Sequence, residues 1–237
     1  MIVLGIESAT ESVGAAVGDG VRVLASLARN GRRRHAERLA PAIASVLGSA
    51  SAPLSQLDAI AVDVGPGLFT GLRVGVATAK GLSQGLGVGI LGLSSLEVLA
   101  AAALAGGWDG PVLAVVDGRR GEVFAGRYEA GPDGTPRELA GPDRFGPESL
   151  GALVGGGRVL ACGDGARRYR DQLPGAVIAP EPLDFPDPAV LVSVAMRRLA
   201  AGTPTLDATA VAPVYLREAD ARINWVQRDP VPAREAR

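Results

Sequence analysis

The 237 residues are 47% hydrophobic, which suits one large domain or two lobes burying roughly 70–75% of the unfolded surface. A formal net charge of −1 lacks the basic excess of a protein that grips nucleic acid unaided, and the Ala-rich run from Leu96 to Ala105 is too short to span a bilayer. Cys162 is the single cysteine and His35 the single histidine, so neither an internal disulfide nor a zinc site of the usual ligands can form within one chain.

The chain opens with MIVLGIES, running into a strand without an apolar leader, which points to the cytoplasm. Ile2 to Ile6, Ser12 to Val17 and Val21 to Ser26 read as a meander of three short strands. A helical pattern follows from Arg34 to Leu47, with Pro41 inside it removing one backbone donor. Next come a strand at Ala59 to Val64, a helix from about Thr70, and a strand near Val88 to Leu91. Ser94 and Glu97 have the spacing of a capping box and open a helix reaching Ala105.

After Gly106-Gly107 the pattern restarts: VLAVVDGRRGEVFAG can be laid over VLGIESATESVGAAV, each an apolar strand ending in an acid, Asp117 or Glu7, then a polar turn and a second strand. The repeat predicts two α/β lobes of the ribonuclease H or actin-like type, residues 1–107 and 108–217, followed by a charged tail of residues 218–237. Residues 130–150 read as loops around a short strand, Val159 to Cys162 as a strand, and Pro188 to Ala201 as a helix. The clusters Arg32 to Arg34 and Arg167, Arg168 and Arg170 read as solvated faces.

The most informative block is GPGLFTGLRVGVATAKGLSQGL, residues 65–86. Gly71, Gly75, Gly81 and Gly85 lie inside its helix, and each costs roughly 0.5–1 kcal/mol relative to alanine. At 100° per residue Gly71, Gly75, Thr78, Leu82 and Gly85 share a stripe, with Arg73, Ala77, Lys80 and Gln84 roughly opposite. The absent side chains admit a close backbone, from a partner helix or from the helix's own sheet. Alternatively, the Gly65-Pro66-Gly67 turn and the helix amides cradle a phosphate.

This block resembles the GPGSFTGLR signature of the TsaB (YeaZ) family, bacterial partner subunits in the synthesis of threonylcarbamoyladenosine in tRNA. LGIESATES, RHAERLAP, DGRRGEVF and PVYLR agree with that family in the same order, over most of Met1 to Arg217. Leu68 stands where the signature usually has serine, and Gly118 where alanine is common. The first departure removes a hydroxyl from the turn.

The resemblance implies an actin-like fold and a non-catalytic subunit pairing with a TsaD-like catalytic paralogue, with a TsaE-like ATPase in the same complex. It further implies a homodimer when alone, only indirect contact with tRNA, and no membrane. It implies no intrinsic cofactor, ADP or ATP entering at the complex interface. Pairing would use Ala36, Leu39, Ala40, Ile43 and Leu47 of the early helix with Gly71, Gly75, Thr78 and Leu82 of the glycine helix.

Two other classes compete. An actin-like ATPase or sugar kinase would place Glu7 and Asp117 beside magnesium and Gly65 and Gly67 at phosphates, although Glu11 in the first turn would repel them. A peptidase finds neither a metal-binding HExxH nor a serine elbow in this sequence.

Overall fold

The structure, a computed structural model, describes residues 1–31 and 34–216. The tail expected at 218–237 lies outside the described residues, as do Arg32 and Arg33.

Two five-stranded mixed sheets form the frame. In the first, β1 (Ile2–Glu7), β2 (Ser12–Gly18), β3 (Val23–Asn30), β4 (Leu57–Gly65) and β5 (Gly89–Ser94) are ordered β3-β2-β1-β4-β5. The second holds β6 (Val112–Arg119), β7 (Glu122–Ala130), β8 (Pro136–Phe145), β9 (Leu160–Cys162) and β10 (Val177–Ile178), ordered β10-β9-β6-β7-β8. Read from its far edge, the second order repeats the first: an antiparallel meander flanked by two parallel strands. The architectural repeat is therefore real, and the fold is a two-lobed actin-like α/β one.

Period-2 alternation assigns each face. Leu4, Ile6, Ile60 and Val62 meet α1 (His35–Ser49) and α2 (Phe69–Leu86) on one side of the first sheet. Val3, Ala16, Ala59 and Ala61 meet α6 (Pro188–Ala200) on the other. Gly5 and Gly18 let α6 sit against the strands, since a Cβ on them would lie 2.3 Å from Val192 Cγ2 and 2.5 Å from Met196 Sδ. The second sheet packs α3 (Ser95–Ala105) on one face and α4 (Leu150–Val154) with α5 (Asp164–Arg168) on the other.

A cut near residue 107 separates the sheets but not their helices: α3 precedes the cut and packs on the second sheet, while α6 returns to cover the first. Two local readings are corrected. The short strand expected among loops at residues 130–150 is β8, ten residues long and a mostly solvent-facing edge strand; its scattered Gly, Pro and Asp are tolerated because an edge strand pairs on one side only. The expected capping box at Ser94 is half formed, since the Ser94 side chain makes no cap bond, while the Glu97 carboxyl accepts the Ser94 amide and pairs with Arg198.

The glycines of α2 divide by face. A Cβ on Gly71 would stand 2.1 Å from the Ser8 carbonyl oxygen, and one on Gly75 2.3 Å from Ser8 Oγ, whereas Gly81 and Gly85 have open space. Gly71→Ala is expected to cost about 1–3 kcal/mol through overpacking against backbone, and Gly81→Ala to add about 0.5–1 kcal/mol of helix propensity. Urea unfolding of the two variants measures this opposite sign.

Candidate functional site

The turn linking β1 and β2 is where the elements converge. Ser8 Oγ donates to the Gly71 carbonyl at 2.9 Å, and the Leu68 amide donates to the Ala9 carbonyl at 2.6 Å. His35 Nε2 donates to the Thr10 carbonyl at 2.8 Å, tying down the first residue of α1. The Gly31 amide donates to the Glu11 carbonyl at 3.1 Å.

Beneath this turn lies a fully buried acid pair, Glu7 and Asp63. Glu7 Oε1 accepts the Ala9 amide at 2.8 Å. Asp63 Oδ1 accepts the Gly65 amide at 2.7 Å and Ser95 Oγ at 2.6 Å. Glu7 Oε2 and Asp63 Oδ2 have no donor among the described residues, yet the two carboxyls are in hydrogen-bonding contact. Two acceptors bond only when one carries a proton. Burial, reinforced by the charges of Asp63 and Asp187, holds the Glu7 carboxyl well above the ordinary carboxylate range. Burial also raises Asp63, against the pull of the bonds from Glu7, Ser95 and Gly65. The buried pair thus shares one proton.

The second lobe has the equivalent arrangement with a different solution. Asp117 ends the buried run of β6, and its amide donates to Asp164 Oδ1 at 2.9 Å. Asp117 Oδ2 receives Arg119 Nη1 at 2.8 Å and Arg168 Nη1 at 2.9 Å, and Arg119 Nη2 reaches across to Glu11 of the first lobe. Burial pushes the Asp164 carboxyl up to about 6. Burial likewise raises the Cys162 thiol, to about 12, leaving it an inert core group.

The protein's own contacts occupy the positions expected to lie near a phosphate. Glu7 faces Asp63 rather than solvent, and Asp117 is neutralised by two guanidinium groups. The Gly65 amide is spent on Asp63, and a Cβ on Gly67 would stand 2.1 Å from the Ala9 carbonyl oxygen. The Gly-Pro-Gly turn is packed on the β1–β2 turn and does not form an open cradle.

The expected pairing residues separate too. Leu39, Ile43 and Leu47 are buried in the monomer's own core, and Gly71 and Gly75 face Ser8. Thr78 and Leu82 are half-buried, Thr78 Oγ1 bonding the Val74 carbonyl at 2.8 Å. Only Ala36 and Ala40 stay exposed. They begin a series exposed at spacings of four: Ala36, Ala40, Ala44 and Gly48 along α1, and Ala77, Gly81 and Gly85 along α2, of which the expected α2 stripe held Gly85 alone. The same spacing in the sequence could have found them. On the helix surface the α2 series is centred about a quarter turn from Gly71 and Gly75.

A two-lobed actin-like chain built this way also matches a known family model. Residues 23–143, just over half of the chain, fit the one described as TsaD: tRNA N6-adenosine threonylcarbamoyltransferase. The solved structure of YeaZ from Pseudomonas aeruginosa superposes with a TM-score of 0.82, covering 91% of this chain and 99% of that chain at 29% identity. The Escherichia coli tRNA threonylcarbamoyladenosine biosynthesis protein TsaB is 33% identical over 134 residues, 56% of this chain and 58% of that protein. An uncharacterized Mycobacterium tuberculosis protein is 39% identical over 128 residues, 53% of this chain and 58% of that protein. The chain belongs to the TsaB (YeaZ) family. It spans little more than half the length of these curated relatives, and no helix among the described residues is long and apolar enough to cross a membrane.

The shared proton fixes a pH response. Glu7 keeps its proton in the fold at pH values where the unfolded side chain, with a pKa of about 4.3, has lost it. Its contribution is therefore complete below about pH 4.3 and is lost as pH rises through the raised folded pKa. Glu7→Gln, neutral throughout and able to donate to Asp63, is expected to match the parent near pH 4 and to become more stable above it. The gain grows by on the order of 1 kcal/mol per pH unit until the folded Glu7 ionises. Urea midpoints of both proteins from pH 4 to 9 measure the divergence.

Proposed function

We propose that this chain is the non-catalytic partner subunit of a tRNA threonylcarbamoyladenosine-forming assembly. It docks a TsaD-like catalytic paralogue, or a second copy of itself, through the outer face of α1 and α2. The pathway is supported by the Escherichia coli and Bacillus subtilis relatives, both named tRNA threonylcarbamoyladenosine biosynthesis protein TsaB.

The observation that carries the docking reading is the pair of small-residue seams. Rows of residues four apart form the ridges and grooves with which helices pack on each other, and small side chains permit close axial approach. Both helices lie on the same side of the first sheet and bury their large apolar residues inward. A Cβ placed on Gly48, Gly81 or Gly85 meets nothing within 4 Å. Glycines in a helix with no intramolecular need for closeness weaken it by about 0.5–1 kcal/mol each, a cost that apolar burial against a partner offsets. The kinase alternative lacks comparable support, because the acids it requires are engaged by a shared proton at Glu7 and by guanidinium groups at Asp117.

Ala44→Arg is the direct test. It places a long charged side chain in the α1 seam at an exposed position, so the monomer should unfold within about 0.5 kcal/mol of the parent. Association with itself and with a TsaD-like protein should weaken by at least tenfold in sedimentation velocity. Unchanged association would remove the docking face from consideration.

A further inference from the structure

Arg119 joins the two lobes. It lies on β6 of the second lobe, where its guanidinium meets Asp117, and its other terminal nitrogen pairs with Glu11 of the first lobe. The Arg119 side chain is 31% exposed and that of Glu11 21%, so the bridge is shielded more than a surface pair, whose net worth is small.

The backbone is committed to this placement. Arg119 has φ +65°, with Arg120 at +53° and Gly121 at +77° after it. A left-handed conformation at a non-glycine residue is disfavoured by about 1 kcal/mol. It coincides with a register shift between Asp117 and Arg119, after which Arg119 pairs with Glu122 in the β6–β7 ladder.

Glu11 closes the turn that carries the docking helices. Within four residues that turn bonds the Gly71 carbonyl of α2, the Leu68 amide before α2, the His35 ring at the start of α1, and the Gly31 amide on the path into α1. We propose that Arg119 is an interlobe latch that, by holding Glu11, fixes the β1–β2 turn and so couples the second lobe to the position of the α1/α2 face. The last step rests on the docking reading; the latch itself does not. Three carboxylates, Glu11, Asp117 and Asp164, converge here with the Arg119 and Arg168 guanidinium groups, and of these contacts the Arg119–Glu11 pair is the one that crosses between the lobes.

Hydrogen exchange of the full chain tests this, using Arg119→Gln and, as a milder change on the other side of the bridge, Glu11→Gln. Both variants should exchange at least tenfold faster at the Gly31, Leu68 and Arg38 amides, with Leu191 and Ala201 at the ends of α6 unchanged, and both should weaken self-association measured alongside Ala44→Arg. Acceleration confined to Gly118–Glu122 in Arg119→Gln, with none in Glu11→Gln, would overturn the latch. Faster exchange with undiminished association, while Ala44→Arg abolishes association, would overturn the coupling to the face. Should Ala44→Arg itself leave association intact, the failure belongs to the docking reading, and exchange alone decides the latch.

Discussion

The architecture depends on a backbone turn with almost no side-chain volume. Ser8 and Ala9 hold the start of α2, Thr10 the start of α1 and Glu11 the path into α1, all through hydrogen bonds that involve main-chain groups. Main-chain groups sit at fixed distances from their own Cα atoms, so such bonds set position more rigidly than contacts between long side chains. The glycines of the opposing segment follow from this. Gly67 and Gly71 approach the carbonyl oxygens of Ala9 and Ser8 so closely that a methyl group would stand 2.1 Å from each. The signature block is best understood as the complement of that turn.

The two lobes place acids at corresponding points and neutralise them differently. Glu7 ends β1 and Asp117 closes the buried run of β6; Asp63 lies near the end of β4, and Asp164 just beyond β9. In the first lobe the site is closed to water, and one proton between two carboxyls removes the cost of a second buried charge. In the second, Arg119 and Arg168 reach the rim and supply positive charge instead. The duplicated sheet fixes where the acids go, while the accessible surface around each pair determines which counter-charge it receives.

Much of this was legible from residue patterns. Alternation and turn chemistry place nearly every strand of the first lobe, and the repeat of VLGIES by VLAVVD reveals the doubled sheet. The full extent of β8 was hidden because its residues are largely solvent-facing, leaving no apolar alternation to read. The exchange of α3 and α6 between sheets was hidden for another reason, since no local signal says which of two apolar surfaces a helix will cover. Asp63 gave a faint signal, a single acid in an apolar run, but its pairing with Glu7 depends on the parallel register of β1 and β4. Arg168 looked like part of a solvated cluster, and only the fold brings it to Asp117.

The glycine helix shows why composition alone could not separate packing from docking. Gly71 and Gly75 are required by the monomer; Gly81 and Gly85, on the same helix, are not. Both kinds carry the same propensity cost and differ only in what occupies the space where a side chain would be. Within the monomer, Ser8 fills that space for the first pair, with its carbonyl at Gly71 and its hydroxyl at Gly75, and nothing fills it for the second. Gly81 and Gly85 therefore add nothing to the monomer's own packing, and that difference separates the exposed seam of Ala77, Gly81 and Gly85 from Gly71 and Gly75, whose missing side chains the Ser8 turn replaces.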